Sequence, residues 1–236
     1  MALVSLPSAL VGTDGGALGP GSAEALAQVF LAYGVTLAAL AFFAGQQQRL
    51  AAWRATAQEM RHLALTDALT GLANRRWAEE QLELEMARAD RYGRGFSVVM
   101  VDIDWFKALN DAHGHPAGDD VLVDLGRSLR AMVRSTDQVA RWGGEEFLIL
   151  APETPIPAAV ELAEAIRSRV AAEALGSGHA VTISLGVAGF RNGDSRSMLI
   201  DRADVALYRA KRGGRNRVAI EAEVGAVTAR ELHSIA

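Results

Sequence analysis

The sequence predicts an α/β domain, with helices packed on a sheet, that follows an apolar N-terminal helix. From residue 77 onward, stretches with helical periodicity alternate with short apolar runs, a pattern typical of helices layered on a sheet. Half of the 236 residues are hydrophobic, which is ample for a core. The formal net charge of -4 argues against a protein that coats nucleic acid. The absence of cysteine excludes disulfides and thiolate metal sites, and it fits a cytosolic catalytic part.

The first 45 residues predict a flexible leader and a transmembrane helix. Residues 1–23 are rich in small residues and carry a single charge, whereas 24–45 form an apolar run long enough to cross a bilayer as a helix of roughly 20 residues. A buried core helix and an uncleaved signal peptide are the alternatives, and the second is disfavoured because no Lys or Arg precedes the run. Basic residues follow it closely at Arg49, Arg54 and Arg61. This asymmetry places the C-terminal part in the cytoplasm.

Residues 46–66 predict a coiled-coil signalling helix. The segment contains no Gly or Pro, and its apolar residues are spaced alternately three and four apart. These residues are Leu50, Trp53, Ala57, Met60 and Ala64. The spacing favours a parallel pairing of two chains, while a helix that packs on its own domain is the alternative.

The elements of the α/β domain occupy residues 67–222. Gly71 breaks the preceding helix, Asn74 is a good N-cap for a helix over 77–92, and Gly93 ends that helix. An apolar strand over 96–104 terminates in two acids, which are costly to bury unless they are paired or bind metal. Further on, the pattern predicts a polar loop at 105–120, helices at 121–133, 157–174 and 197–212, strands at 180–187 and 217–220, and a loose tail at 223–236.

Between the predicted strands at 139–142 and 147–151 lie two glycines and two acids, Gly143, Gly144, Glu145 and Glu146. Glycines between two strands predict a tight hairpin that leaves room for a ligand near the backbone. The adjacent carboxylates therefore suggest a metal and phosphate site. An ordinary solvated turn is the alternative for this stretch taken by itself.

Five sequence blocks in order extend this interpretation to the whole domain. They are Asp67-x-Leu-Thr-Gly-Leu-x-Asn-Arg-Arg76, Asp102-Ile-Asp-x-Phe-Lys107, Asn110-Asp-x-x-Gly-His115-x-x-Gly-Asp119, Gly143-Gly-Glu-Glu-Phe147 and Ala203-Asp-x-Ala-Leu-Tyr-x-Ala-Lys211-x-x-Gly-Arg215-Asn216. With them, residues 63–220 closely resemble the GGDEF diguanylate cyclases. The resemblance implies a ferredoxin-like domain of the nucleotide-cyclase type, with a mainly antiparallel central sheet flanked by helices.

The resemblance also implies the reaction and its metal site. Two GTP molecules would condense to cyclic di-GMP with release of pyrophosphate, which requires Mg²⁺, or Mn²⁺ in its place. The implied ligands are Asp102, the carbonyl of Ile103 and Glu145. Glu145 is also the implied base, with Glu146 assisting, and Lys107 is implied to offset charge in the transition state.

The same resemblance assigns residues to the nucleotide. Asn110 and Asp119 would select guanine, because a carboxylate accepts from the N1–H and N2–H₂ groups that adenine does not offer together. His115 would lie beside the nucleotide, and Lys211 and Arg215 would hold the terminal phosphates. A basic helix end interacting with the helix dipole is the plainer interpretation of the two cations.

Two further features bear on regulation and activity. Arg134 and Asp137 match the spacing and position of the family's inhibitory product site, although an Arg-x-x-Asp pair also arises by chance. The third hairpin position is Glu145 where the family name has Asp, and either residue can bind Mg²⁺. The expected protein is a homodimer at the bacterial inner membrane with its catalytic domain in the cytoplasm. A catalytically silent module that binds cyclic di-GMP or GTP is the alternative, and a membrane-tethered scaffold is a third.

Overall fold

The structure, a computed structural model, describes the backbone of residues 20–221 and the side chains of 23–50, 53 and 65–221. The chain divides into two compact units, 1–60 and 61–236. The predicted tail and nearly all of the predicted leader lie outside the described residues. In the first unit the main feature is helix α1, Pro20–Leu65, which continues to the start of the second.

Helix α1 contains one segment, Ala23–Leu50, that is long and apolar enough to cross a membrane, with a mean hydropathy of 2.0. None of its apolar window is buried, and large side chains such as Phe30 and Phe43 are exposed. A core helix of a soluble domain would be buried, so the segment has the surface expected of a helix that faces lipid. The predicted coiled-coil residues Leu50 and Trp53 are also exposed, and the side chains of the other three lie outside the described residues.

The second unit is built on a mixed six-stranded sheet, which confirms the predicted α/β class. Its strands, in chain order, are β1 (Ala73–Asn74), β2 (Ser97–Ile103), β3 (Gln138–Arg141), β4 (Glu146–Ala151), β7 (Ile183–Gly189) and β8 (Val218–Ile220), while β5 (Ala174–Leu175) and β6 (His179–Ala180) form a separate hairpin. The spatial order is β1-β3-β4-β2-β7-β8. The four inner strands pair antiparallel, and the two edge strands pair parallel to their neighbours.

Five helices cover the two faces of this sheet. They are α2 (Arg75–Tyr92), α3 (Phe106–His113), α4 (His115–Met132), α5 (Ile156–Ala172) and α6 (Arg196–Arg212). Because side chains alternate along a strand, Val99 and Val101 of β2 join the core under α4 and α5, whereas Val98 and Met100 join the core under α2 and α6. By the same alternation, Asp102 belongs to the α6 side.

Most element boundaries agree with the sequence predictions to within two residues, and the predicted N-cap is confirmed. The Asn74 side chain accepts from the Trp77 amide at 3.1 Å, and Gly93 ends α2 in a left-handed conformation. The strand predicted at 180–187 is an exception, because it begins three residues later, as β7.

The prediction of a polar loop at 105–120 is wrong. Helix α3 and the first turn of α4 occupy this stretch, and they are separated only at Gly114, whose φ is 84°. Pro116 sits in the first turn of α4, where its missing N–H costs no hydrogen bond. The helices expose their polar residues and bury Phe106, so the high polarity of the sequence marks a surface helix pair and not a loop.

An ion network lies beside the first half of α6. Arg202 donates to Asp194 at 2.6 Å and to Glu221 at 2.5 Å, and the side chains of both acids are almost fully covered. The pKa of Asp194 lies below its ordinary value: burial alone would raise it, but hydrogen bonds from Arg202 and from the Arg191 amide outweigh that effect. Ionised Asp194 therefore stabilises the folded domain, and this contribution is lost as the pH falls through its lowered pKa.

Candidate active site

The glycine hairpin joins β3 to β4, and Gly143 lies against the side chain of an acid. The amides of Trp142 and Gly143 both donate to the Glu146 carbonyl, at 2.8 and 3.2 Å. Neither hairpin glycine lies in the left-handed region, so backbone freedom is not what the turn requires. A Cβ on Gly143 would lie 2.8 Å from the Glu146 carboxylate, so a larger residue there would require the Glu146 side chain to move.

An arginine ties this hairpin to the beginning of the domain. Arg141 donates to both carboxylate oxygens of Asp67, at 3.1 and 3.2 Å, and to the Gly144 carbonyl at 2.7 Å. Burial acts to raise the pKa of Asp67, but hydrogen bonds from Thr70 and Arg141 bring it below its ordinary value. Asp67, which lies two positions after the end of α1, is thus connected to the hairpin through its ion pair with Arg141.

Asp102 is the buried centre of the candidate site. It lies opposite Glu146 across the β2–β4 pair, and it is 2% exposed. Its Oδ2 accepts from Lys211 at 2.6 Å, while Oδ1 has no hydrogen-bond partner. Burial raises the pKa of Asp102 to about 6; Lys211 opposes this effect, and Glu145 and Glu146 add to it.

The surrounding acids make this end of the sheet strongly negative. Burial raises the pKa of Glu145, Lys211 lowers it, and the Glu146 charge raises it further. Asp204 on α6 has a pKa raised to about 6, first by burial and then by the Glu146 and Asp201 charges. Since Asp204 is exposed as a residue, solvent screens part of this effect.

The predicted metal ligands fit a divalent cation in their chemistry. Among the described residues, no group of three or more His, Asp or Glu is arranged to hold a metal ion. The predicted set uses fewer side chains: two carboxylates, from Asp102 and Glu145, and the carbonyl of Ile103. A buried carboxylate oxygen without a partner, within a cluster of negative charge, is the environment that an oxygen-preferring cation would stabilise.

The predicted guanine residues lie on α3 and α4. The Oδ1 atom of Asn110 is buried without a partner, and a Cβ on Gly118 would come within 2.0 Å of it. The close approach of α3 and α4 therefore depends on glycine at 118, and it leaves the amide oxygen of Asn110 without a hydrogen bond. Asp119 and His115 lie next to this point on α4, and both are exposed.

The predicted phosphate residues lie at and just beyond the C-terminal end of α6. Helix α6 packs directly on the backbone of β7, where a Cβ on Gly186 would lie 2.2 Å from the Ala203 carbonyl. This close packing brings Lys211 to Asp102, and Arg215 follows in the turn before β8. Lys107 is exposed on α3, and within the described residues it forms no ion pair with the site acids.

The predicted inhibitory residues lie apart from this cluster. Arg134 is exposed, whereas Asp137 is buried and accepts from the Arg134 amide at 3.0 Å. Arg134 lines a cavity of about 860 Å³ together with Arg88, Arg94, Tyr92 and Gln138. Two of these arginines are paired with glutamates of the same lining, Arg88 with Glu85 and Arg94 with Glu153, so among the described residues Arg134 is the arginine of this cavity that has no ion pair and could bind a phosphate.

One acid near the site, Asp104, was given no role by the sequence. Asp104 is buried and accepts from Thr182, Ser184 and the amide of Asn216, at 2.7, 2.7 and 2.9 Å. It is fully paired within the protein, in contrast to Asp102. The only sequence signal for Asp104 was its place two residues beyond Asp102, because the residues that bond to it lie far along the chain.

The antiparallel sheet, with buried and negatively charged strand ends beside a glycine hairpin, defines a domain of the nucleotide-cyclase class. Residues 64–217 match the family model described as diguanylate cyclase, GGDEF domain. The chain belongs to the GGDEF domain family.

Named relatives and solved structures agree with this assignment. Diguanylate cyclase DgcP of Pseudomonas aeruginosa is 41% identical over 177 residues, which cover 74% of this chain and 26% of DgcP, so the chain matches about a quarter of that relative's length. The coiled coil and GGDEF domain of DgcB from Caulobacter crescentus, solved with c-di-GMP, is 33% identical with a TM-score of 0.72, covering 76% of this chain and 97% of that one. The active GGEEF domain of a diguanylate cyclase from Vibrio cholerae is 36% identical with a TM-score of 0.61, covering 64% and 99%.

Proposed function

We propose that this protein is a diguanylate cyclase that condenses two GTP into cyclic di-GMP and two pyrophosphates. The observation that carries the proposal is the buried, unpartnered carboxylate oxygen of Asp102, set among Glu145, Glu146 and Lys211 in a GGDEF domain. A domain that only binds nucleotide has no need to keep such acids buried together. A solved relative with the same Gly-Gly-Glu-Glu-Phe hairpin is described as active, which supports activity with Glu145 in the third position.

Asp102, the Ile103 carbonyl and Glu145 would hold Mg²⁺, or Mn²⁺ in its place. When bound, the cation would neutralise triphosphate charge and lower the pKa of the attacking 3'-hydroxyl. Glu145 would accept the proton of that hydroxyl; its raised pKa makes it a stronger base than an ordinary glutamate. Glu146 would assist, and the exposed Lys107 would offset charge on the reacting phosphate.

The two polar ends of the site would bind the two ends of the nucleotide. Asn110 and Asp119 would pair with the guanine edge, and His115 would lie beside the nucleotide. Lys211 and Arg215 would bind the terminal phosphates. An adenine nucleotide would leave the guanine-pairing groups unsatisfied and would be rejected for that reason.

Each chain contributes one hairpin and one guanine site, so the reaction requires two chains facing each other across a two-fold axis. Helix α1 would anchor the dimer in the inner membrane through its exposed apolar segment and pair two chains through residues 46–66. The catalytic domain would lie in the cytoplasm. Product bound at Arg134 and Asp137 would restrain the enzyme, and the arginine-lined cavity beside Arg134 supports that function.

The proposal is tested by incubating the full chain, in detergent, with GTP and Mg²⁺ and separating the nucleotides by chromatography. Wild type should form cyclic di-GMP, and Glu145→Gln should lower the rate by at least about a hundredfold, the scale expected for a general base. Glu161→Gln, which changes an exposed glutamate on α5, is the matched control and should retain activity. Retained GTP binding without product would instead identify a silent binding module.

A further inference from the structure

Trp105 occupies a position that costs local stability. It is the N-cap of α3, where it supplies no side-chain hydrogen bond, and its backbone is left-handed with φ 61°. Ser, Thr, Asp or Asn are the favoured caps, and a bulky residue is strained at positive φ. Its indole ring is also 65% exposed, so burial does not offset these costs. A strained, exposed aromatic residue at the edge of a site calls for a functional explanation.

The ring has one clear contact, with a cation. The Arg215 guanidinium carbon lies 3.8 Å from the centre of the Trp105 ring, well within the range of a cation–π interaction. Within the described residues, the Arg215 side chain forms no ion pair and no hydrogen bond. A guanidinium held over an aromatic ring without a hydrogen-bond partner keeps its N–H groups free for an anion.

The backbone that carries Arg215 is fixed separately. Gly214, Arg215 and Asn216 have positive φ values of 117°, 62° and 44°. The Asn216 amide donates to the buried Asp104 carboxylate at 2.9 Å, and the Arg215 amide donates to the Ala210 carbonyl at 3.1 Å. Asp104 and Trp105 are adjacent in the chain. One short segment after β2 therefore contacts both the backbone of the turn at 214–216 and the side chain of Arg215.

We propose that Trp105 is a positioning residue for substrate binding, because its ring holds the Arg215 guanidinium ready for the terminal phosphates of GTP. The inference rests on the proposed function, since it takes GTP as the ligand. Without the ring, the flexible arginine would have to be ordered by the substrate itself, which weakens binding. The effect is confined to ligands that carry the phosphates Arg215 reaches.

The test compares Trp105→Asn with Trp105→Phe in the full chain. Asparagine tolerates a left-handed backbone and caps a helix well, so Trp105→Asn should keep or raise the melting temperature while it removes the ring. We expect it to raise the KM for GTP about fivefold, the factor that corresponds to a partly exposed cation–π contact. Trp105→Phe, which keeps an aromatic face, should stay within about twofold of wild type.

Two controls separate positioning from a general effect. The inhibition constant of GMP, which lacks the terminal phosphates, should be unchanged in Trp105→Asn. In an Arg215→Ala background, Trp105→Asn should add less than about twofold to the KM, because the two residues act through one interaction. An unchanged KM for GTP, an equal loss of GMP affinity, or the same added factor in the Arg215→Ala background would each overturn the inference.

The proposed function is judged separately, by whether wild type forms cyclic di-GMP. If wild type binds GTP without forming product, equilibrium dialysis with GTP and with GMP replaces the two kinetic constants, and the same comparisons decide the role of Trp105. If Trp105→Asn does not fold, Trp105→Gly takes its place, because glycine also accepts the positive φ without a ring.

Discussion

Replacement of Asp102 by asparagine should change how the stability of the metal-free protein depends on pH. Asp102 is 2% exposed, and its pKa is raised from 3.8 to about 6, mainly by burial. The folded state therefore holds this proton more tightly than the unfolded state does. Stability contributed by protonated Asp102 is fully present below about pH 4 and is lost as the pH rises through 6. Asparagine keeps the shape of the side chain and removes the titration.

The size of the effect follows from the shift. A pKa difference of about two units corresponds to about 3 kcal/mol across the whole titration, at 1.36 kcal/mol per unit. Between pH 5 and pH 7.5 about half of this, about 1.4 kcal/mol, should be lost by wild type. Asp102→Asn should lack that loss, although Asp204, whose pKa is also about 6, keeps part of the pH dependence in both proteins.

The measurement is urea unfolding of the full chain in detergent with EDTA, at several pH values between 5 and 7.5, followed by tryptophan fluorescence. Trp142 lies buried in the hairpin and reports on this region. Asp111→Asn, at an exposed position on α3, is the control and should give the wild-type slope. If Asp102→Asn and wild type lose stability in parallel over this range, the burial of an ionised Asp102 is not costly and the reasoning is refuted.

Three other substitutions test how the site is held in place. Asp67→Asn removes the charge that fixes Arg141; it should cost about 1–3 kcal/mol in urea unfolding and slow cyclic di-GMP formation at least about tenfold, since the hairpin would shift. Gly118→Ala places a Cβ against Asn110, so GTP affinity in equilibrium dialysis should fall at least about tenfold although alanine favours the helix by about 1 kcal/mol. Arg202→Met removes the cation that joins the Asp194 and Glu221 side chains and leaves both acids only their bonds to Arg191, so it should cost about 1–3 kcal/mol, seen as a lower melting temperature; an unchanged value would show that Arg191 and solvent satisfy both acids.

The sequence was most informative where function and local structure depend on the same short stretch. Glycines beside acids marked the hairpin, and an apolar run ending in Asp102 marked the central strand, because both signals arise from neighbouring residues. The family blocks then related these stretches to one another. The structure brings Asp102 together with Glu145 and Glu146, and it adds a Lys211–Asp102 ion pair that the sequence did not predict, while the roles of these residues stay predictions.

The sequence was least informative where a contact joins distant residues. Asp104 finds its partners some 80 and 112 positions along the chain, and Asp67 meets Arg141 74 positions away. Nothing local distinguishes the fully paired Asp104 from the partly unpaired Asp102. The stretch 105–120 was mistaken for a loop because its glycines and polar residues resemble loop composition, whereas the helix pair is stabilised by its contacts with the core.

The most direct test of the central proposal is the fate of GTP when the dimeric full chain is supplied with Mg²⁺. We expect two GTP to be consumed and two pyrophosphates released for each cyclic di-GMP formed, with a rate per chain that falls on dilution as dimers dissociate. GTP recovered unchanged from a sample shown to be dimeric would contradict the assignment of this site as a cyclase. Product formed at full rate by isolated monomers would contradict the requirement for two facing chains.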